Sequence, residues 1–353
     1  MIIKSVDLKS FRSYTRFHID LDPVMNIIIG KNGIGKTNIL ESLVMVSNTK
    51  SFRTSDDMMM IKSGEEYAFI EVGTPKDKLK VIITKEGKFL YLNNNPIRKT
   101  SDFIGKLNVI LFKPNDLELF DDTPKSRRKL IDVELGKISR EYLNDMVLYT
   151  KLLKDKNNLL KNQDVDRLYL ETIESRMVDP IINIITLRSE MIDFINTKIS
   201  DYYQKLSGTD ITIRIDYHMS ADNTLEAVKE MIDRSHERDL MYQYTTNGPQ
   251  KEDYSFYFDE NEISGYASQG QRRMCMIAFK LAIADYIKNK TGTEPVLLLD
   301  DIMSELDIEN RSRLFEVLPS NIQTIITSTD LDNIKIKDKY KVFKLRKEAT
   351  DDK

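Results

Sequence analysis

The sequence predicts an α/β fold in which a mixed sheet with helices and an antiparallel strand region carries an inserted helical arm domain. A continuous apolar run at 24–29 stops at Gly30 and is followed by a helical pattern at 37–48, as expected for a fully buried strand that leads into a helix. Short alternating runs within 67–92 favour antiparallel hairpins. From 116 to 206 glycine becomes scarce, charge rises and the apolar spacing becomes helical.

These changes of pattern divide the chain into three segments. Residues 1–115 are predicted to form the N-terminal part of the main domain, 116–206 the inserted helical arm, and 207–353 the C-terminal part of the main domain. We expect Pro180 to separate two long helices of the arm, because proline interrupts a helix interior. The remaining strong patterns predict strands at 108–112, 211–218, 255–258, 296–299 and 324–327, and a helix at 271–288.

The composition excludes several classes of protein. A chain of 353 residues with 41% hydrophobic residues is long enough for two domains with a sizeable core. One cysteine and three histidines exclude a disulfide framework and disfavour a Cys/His metal site. The first twenty residues contain no apolar stretch typical of a signal peptide, and no apolar run approaches the length needed to cross a bilayer. We therefore expect a soluble, cytoplasmic protein without a membrane partner.

A phosphate-binding motif follows the first buried strand. It reads G-x-x-x-x-G-K-T and consists of Gly30, Lys31, Asn32, Gly33, Ile34, Gly35, Lys36 and Thr37, with Asn38 as the next expected nucleotide contact. Glycines let backbone N–H groups curl around phosphates, and the following helix N-terminus adds a positive dipole. We expect Lys36 to reach the β- and γ-phosphates of ATP and the Thr37 hydroxyl to bind Mg²⁺. The alternative, a glycine-rich turn, does not require this strand–loop–helix context.

A second motif ends the apolar run that starts at Val296. Asp300 and Asp301 follow four apolar residues, so a central parallel strand would deliver both carboxylates to its C-terminal edge. We expect Asp300 to hold Mg²⁺, directly or through water, and Asp301 to orient or deprotonate an attacking water. The stretch 294–310 carries six acids and no Lys or Arg, which is costly unless a cation shares the charge. Without the phosphate loop, the pair would equally suit a capped turn.

A third motif, at 268–273, decides the class of ATPase. Ser268, Gly270 and Gln271 precede an amphipathic helix and would form a second anion site at its N-terminus. ATP-binding-cassette ATPases need two such sites, because each protomer offers its signature loop to the ATP held by the other. The segment 304–307 (SELD) follows Asp301 at the spacing of that class's D-loop. In isolation, 268–271 and 304–307 would each be a surface loop. In this order, after a phosphate-binding loop, they predict an ABC-type P-loop ATPase head that dimerises with ATP.

The interval between the motifs narrows this class further. Ser268 follows Thr37 by 231 positions. Transporter cassettes have a much shorter interval, and the structural-maintenance-of-chromosomes proteins carry a far longer coiled coil with heptads. The spacing therefore indicates a short-armed member of the chromosome-associated branch.

With these motifs in this order, the chain resembles the RecF family of bacterial DNA replication and repair proteins over nearly its whole length. The resemblance is carried by 8–14 (LKSFRSY), 30–42 (GKNGIGKTNILES), 51–54 (SFRT), 111–119 (LFKPNDLEL), 126–134 (SRRKLIDVE), 268–273 and 298–307 (LLDDIMSELD). One departure is visible, because the family usually has Gly-Pro-His-Arg-Asp where this chain reads Gly248-Pro249-Gln250-Lys251-Glu252.

The resemblance implies a function and partners. It implies an ATP-dependent homodimer with weak, DNA-stimulated ATP hydrolysis, which binds double-stranded DNA and gapped or single-stranded/duplex junction DNA. It also implies cooperation with RecO and RecR in loading recombinase, and support of the SOS response. Two alternatives stay open: a scaffold that binds ATP without significant hydrolysis, and another ABC-type ATPase such as a nuclease-associated one.

A basic cluster and one further arginine have sequence patterns that are less specific than the three motifs. Arg127, Arg128 and Lys129 open the arm, where 123–164 holds ten Lys/Arg and six Asp/Glu. They would contact DNA phosphates, or else brace the arm or face water. Arg12 would reach an ATP phosphate, as the corresponding arginine does in related ATPases, or would pin a strand.

Overall fold

The computed structural model describes residues 1–329 and 339–346, without the side chain of Glu305. The strands are β1 Ser5–Phe11, β2 Tyr14–Asp20, β3 Met25–Ile29, β4 Tyr67–Gly73, β5 Lys78–Thr84, β6 Gly87–Leu92, β7 Asn95–Ile97, β8 Val109–Phe112, β9 Ile213–His218, β10 Asp253–Phe258, β11 Asn261–Glu262, β12 Val296–Asp300, β13 Thr324–Ser328 and β14 Tyr340–Lys344. The α-helices are α1 Lys36–Asn48, α2 Thr100–Phe103, α3 Pro124–Ile138, α4 Arg140–Leu159, α5 Arg167–Asn196, α6 Ile199–Ser207, α7 Leu225–Tyr242, α8 Ile263–Tyr266, α9 Gln269–Thr291 and α10 Ile308–Val317.

A parallel sheet forms the centre of the first of two compact units. Its described strands lie in the order β14-β3-β13-β12-β8, and every pair is parallel. Ile27, Leu298 and Ile326 are at most 1% exposed, because strands covered on both faces need apolar side chains on both. The register of β12 and β13 pairs Asp300 with Thr327. Two polar residues therefore meet at the carboxyl edge of an otherwise apolar sheet.

The same unit contains an antiparallel sheet with the strand order β2-β1-β4-β5-β6-β7. Asn93 and Asn94, with φ angles of 51° and 66°, form the tight turn between β6 and β7, as asparagine tolerates the left-handed region better than most residues do. The helix α1 packs against both sheets, and its apolar residues share one buried cluster with strand residues such as Val81 and Leu298. This helix therefore starts at a loop whose position both sheets determine.

The second compact unit combines helices with the small antiparallel sheet β11-β10-β9. Its α5 runs through Pro180 without interruption, so the expectation of two helices separated at this proline is wrong. Met177, Ile181 and Ile184 are at most 3% exposed on either side of it. Burial of this apolar face offsets the roughly 3 kcal/mol that an internal proline costs a helix.

The division into units differs from the predicted domain boundaries. The first unit comprises Met1–Leu117, Asp201–Asp210 and the described residues from Gln269 onward, and the second comprises Glu118–Ser200 and Ile211–Ser268. The predicted arm of 116–206 therefore gains 211–268, which the sequence assigned to the main domain. The reason is strand pairing, because β9 pairs with β10 and not with either sheet of the first unit. Across the described residues, no helix is both long and apolar enough to span a membrane.

Candidate nucleotide-binding site

The phosphate-binding loop joins β3 to α1, as the motif predicts. Gly33 and Gly35 have φ angles of 80° and 111°, which glycine adopts at little cost. A Cβ atom at Gly35 would lie 2.8 Å from the hydroxyl oxygen of Tyr14, so a larger residue would also collide there. The Lys36 ammonium donates to the carbonyl oxygen of Gly30 at 2.6 Å and is thereby held against the loop. Residues 31–33 are exposed, which leaves the outer part of the loop accessible.

Two hydroxyl groups converge on the Walker B aspartate, Asp300. The Thr37 Oγ1 and the Thr327 Oγ1 both donate to Asp300 Oδ1, at 3.0 and 2.8 Å. The Thr327 Oγ1 in turn accepts from the backbone N–H of Asp301 at 3.0 Å. Thr327 therefore connects both aspartates, a role that motif reasoning did not assign to it. The register of two neighbouring parallel strands was the missing information.

The environment of Asp300 opposes its negative charge. Its side chain is almost fully enclosed, with the residue 7% exposed. Burial raises the pKa of Asp300 above its usual value, and the nearby Asp301 adds to this, while hydrogen bonds from Thr327 and Thr37 act in the opposite direction. A cation bound beside the carboxylate would relieve this cost.

These residues fit Mg²⁺ and a nucleotide phosphate. Mg²⁺ prefers hard oxygen ligands and usually takes one or two protein groups together with phosphate oxygens and water. A threonine hydroxyl in the first turn of α1 and a buried carboxylate at the end of β12 already lie 3.0 Å apart here. Thr37 and Asp300 are thus the protein groups that would hold the ion.

Asp301 has a strained backbone. Its φ of 51° lies in the left-handed region, where a non-glycine residue is uncommon. Its carbonyl oxygen accepts from the Ser304 hydroxyl at 2.7 Å, at the start of the predicted D-loop. Asp307, at the end of that loop, caps α10 by accepting from the N–H of Asn310 at 2.8 Å. The D-loop therefore forms a defined turn between β12 and α10.

Arg12 forms a buried ion pair behind the phosphate loop. Its guanidinium donates to both carboxylate oxygens of Glu41, at 2.9 and 2.5 Å, and Glu41 is fully buried in α1. Ser51 and Arg53 contact the same carboxylate, at 2.5 and 3.3 Å. Arg53 also donates to Asn38 Oδ1 at 2.9 Å. The sequence motifs contained these residues, but only the fold shows that Glu41 is their common acceptor.

The signature motif crosses the boundary between the two units. Ser268 closes the second unit, and α9 begins at Gln269 in the first. Ser268 and Gly270 are exposed, and Gln271 is partly exposed, while the first turn of α9 contains no acid. Among the described residues, no atom lies within 4 Å of a Cβ atom built at Gly270, so this part of the chain leaves the space beside it open. The motif is therefore accessible at the N-terminus of a 23-residue helix.

Comparison with known proteins places the chain in a family. Residues 2–351 match the model of the RecF/RecN/SMC N-terminal domain. The DNA replication and repair protein RecF of Streptococcus pneumoniae is 34% identical over 344 residues, which cover 95% of this chain and 94% of that protein. The chain belongs to the RecF family.

Solved structures agree with this assignment. A structure of the recombination mediator protein RecF-ATP in the RecFOR pathway matches with a TM-score of 0.87 and 28% identity, and covers 98% of this chain and 95% of that one. The Smc head domain from Pyrococcus furiosus, solved with the C-terminal domain of ScpA, matches with a TM-score of 0.57 and 19% identity over 98% of this chain and 94% of that one. The predicted ABC-type ATPase head fold is thus confirmed.

The basic residues at the start of α3 have contacts of their own in this RecF-family chain. Arg127 forms two hydrogen bonds with the carboxylate of Asp253, at 2.7 and 2.8 Å, and this contact raises the pKa of Arg127. Arg128 donates to the carbonyl oxygen of Glu252. These contacts within the second unit support the bracing alternative for both arginines. Lys129 is exposed and stays a candidate for DNA contact.

The segment that departs from the family pattern is tied into the second unit by its outer residues. Glu252 is fully buried and accepts from Arg188 at 2.6 Å and from Tyr217. Gln250 accepts from Tyr149 through its side-chain oxygen. Lys251, between them, is exposed and lies over the ring of Tyr244. The departure therefore leaves one exposed cation, Lys251, at the surface.

Proposed function

We propose that this chain is an ATP-dependent DNA-binding protein of recombinational repair and replication, in which ATP drives formation of a homodimer. The observation that carries the proposal is the contact of Thr37 with Asp300 beside a loop that already holds Lys36. The RecF family supplies the DNA-repair context. We place the protein in the cytoplasm, with RecO and RecR as partners in recombinase loading and with a contribution to the SOS response.

The proposed chemistry uses residues of the first unit. The N–H groups of the phosphate loop and the Lys36 ammonium bind and orient the ATP phosphates. Thr37 and Asp300 would hold Mg²⁺, which would supply positive charge to stabilise the phosphate groups during hydrolysis. Asp301 orients the attacking water and accepts its proton at the carboxylate. Weak ATP hydrolysis, stimulated by DNA, then resets the dimer.

The proposed dimer follows from the accessible signature motif. Ser268, Gly270 and Gln271 would complete the γ-phosphate pocket of the partner protomer, since their N-terminal position on α9 favours an anion. Two bound ATP molecules would thus join two chains, and the joined chains would bind duplex DNA next to a single-stranded gap.

A binding assay tests this function. Labelled duplex, single-stranded and gapped DNA of equal length are titrated with the protein, with and without ATP and Mg²⁺, and dimerisation is followed by light scattering. We expect ATP to increase both the dimer fraction and the affinity for gapped and duplex DNA, and Lys36→Met to remove both effects. ATP-independent DNA binding by a monomer would contradict the proposal.

A further inference from the structure

Two exposed tyrosines lie at the end of α7 in the second unit. Tyr242, the last residue of the helix, is 52% exposed, and Tyr244 is 45% exposed. Gln243 between them has a φ of 59°, so the chain leaves the helix in the left-handed conformation. The ring centroids are 6.1 Å apart with an interplanar angle of 42°. Two aromatic faces are therefore presented side by side at the surface.

The exposed charges within 238–251, the segment that carries these rings, are positive. Lys251 Nζ lies 5.2 Å from the centre of the Tyr244 ring, and Arg238 lies one helical turn before Tyr242. In 238–251, a stretch that the structure describes throughout, these are the exposed charged residues. The single acid of the stretch, Asp239, is fully buried and pairs with Lys156 at 2.8 Å. An anionic ligand would thus meet no exposed carboxylate of this segment.

The segment is held in place by hydrogen bonds to neighbouring helices. Asn157 Oδ1 in α4 accepts from the backbone N–H and the hydroxyl of Thr245, at 2.7 and 2.9 Å. Asp239 Oδ1 accepts from the N–H and the hydroxyl of Thr246, at 2.8 and 2.6 Å. These bonds fix the backbone next to Tyr244 before any ligand arrives, which lowers the entropy cost of binding.

A cleft continues from the same segment. It has a volume of about 550 Å³, and its lining includes Arg234, Arg238 and Asn247 together with two acids, Asp222 and Glu230, of which Glu230 pairs with Arg234. Arg238 also donates to Thr246 Oγ1 at 3.1 Å, so the cleft and the tyrosines share this part of the surface. A volume of this size is within the range of small-ligand sites.

We propose that Tyr242, Tyr244, Arg238 and Lys251, here called the tyrosine surface, bind single-stranded nucleic acid. Bases stack on exposed aromatic faces irrespective of sequence, and nearby cations attract the phosphates. The bases of a duplex are already stacked on one another, so they are not available to stack on these rings. The inference extends the proposed DNA-binding function, on which it rests, by assigning the single-stranded side of a junction to a specific surface.

The test compares ring removal with ring retention. Tyr242→Ala/Tyr244→Ala removes both rings, whereas Tyr242→Phe/Tyr244→Phe keeps them, and Tyr169→Ala removes a tyrosine that is 51% exposed on α5. Affinities for an oligothymidylate and for a blunt duplex of equal length are measured by fluorescence anisotropy at fixed salt. We expect the double alanine variant to bind the oligothymidylate on the order of ten-fold more weakly and the duplex as before. The Phe variant and Tyr169→Ala should bind both as the wild type does.

Lys251→Ala supplies an independent measurement. We expect it to lower the salt dependence of oligothymidylate binding by about 0.7 in log-log slope and to leave duplex binding unchanged. The proposal is overturned if the double alanine variant binds the oligothymidylate normally, or if it loses duplex and single-strand affinity equally. A wild-type protein that binds neither nucleic acid would instead refute the proposed function itself.

Discussion

Thr37 donates a hydrogen bond to Asp300 at 3.0 Å, although 263 positions separate the two residues. Thr37 lies in the first turn of α1, which follows the phosphate loop, and Asp300 is the last residue of β12. Their contact brings the two motifs together at the proposed Mg²⁺ site, and the Thr327 hydroxyl is a second donor to Asp300.

The first prediction concerns the stability cost of the Asp300 charge. Burial raises the pKa of Asp300 in the folded protein. The free energy of unfolding therefore decreases as pH rises through this pKa, because the folded protein must then ionise a buried carboxyl group. Asp300→Asn removes the charge and keeps an oxygen to accept from Thr37 and Thr327. We expect the nucleotide-free variant to melt about 2 °C higher than the wild type at pH 7. The difference should vanish below the unfolded-state pKa of about 4, where both forms are neutral.

Calorimetry over a pH series checks this expectation. Thr327→Val serves as the control, because it removes a hydrogen bond that stabilises the ionised carboxylate and should lower the melting temperature most at neutral pH. A lower melting temperature for Asp300→Asn at pH 7 would show that the carboxylate is stabilised in the absence of Mg²⁺.

The second prediction separates ATP binding from hydrolysis. Lys36→Met removes the cation of the phosphate loop, so both ATP affinity and DNA-stimulated hydrolysis should fall. Asp301→Asn keeps the Thr37–Asp300 pair but removes the carboxylate that orients water, so ATP should bind while hydrolysis falls by a factor of about 10² or more. Fluorescent-nucleotide titration and phosphate release measure the two steps. Equal loss of nucleotide binding in both variants would refute this division of roles.

The third prediction concerns the dimer. Ser268→Arg places a bulky cation where the partner's γ-phosphate would bind, so the variant should bind ATP normally and remain monomeric. Ser268→Ala provides the small control and should weaken the dimer without abolishing it. Light scattering in the presence of ATP and Mg²⁺ gives the result. An undiminished ATP-dependent dimer for Ser268→Arg would exclude this motif from the interface.

The fourth prediction distinguishes bracing from DNA contact at the start of α3. Arg127→Ala removes the two hydrogen bonds that Arg127 donates to Asp253, so the melting temperature should fall by about 2–4 °C, while the salt dependence of duplex binding stays unchanged. Lys129→Ala should do the opposite and reduce the log-log salt slope by about 1. A salt slope reduced by Arg127→Ala, with unchanged stability, would return Arg127 to the DNA-contacting residues.

The fifth prediction tests the two roles considered for Arg12. Removal of Arg12 leaves Glu41 buried without its main partner, and breaking a buried pair in this way typically costs about 3–5 kcal/mol. Arg12→Ala should therefore unfold at markedly lower denaturant concentration, and the double variant Arg12→Ala/Glu41→Gln should recover part of the loss. If the double variant recovers stability but still binds ATP weakly, Arg12 also contacts the nucleotide.

The order of the motifs and the local sequence pattern were sufficient to predict several strands and helices of this protein and its class of ATPase. The buried strand β3, the loop at 30–35 and the helix α1 follow from an apolar run, glycines and helical spacing, all of which act within a few residues. The same holds for β12 and α9. The three motifs also implied the ABC-type head, because their combination in one chain serves one kind of chemistry.

The tertiary structure decided the relationships between distant residues. Strand register placed Thr327 beside Asp300, and helix packing made buried Glu41 the common acceptor of Arg12, Ser51 and Arg53. Tertiary packing also kept α5 continuous through Pro180, and strand pairing assigned 211–268 to the second unit. None of these could be read from local pattern, because the free energy of each depends on which partner the fold brings within hydrogen-bonding or packing distance. Sequence spacing sets which groups are available, and three-dimensional packing selects which of them meet.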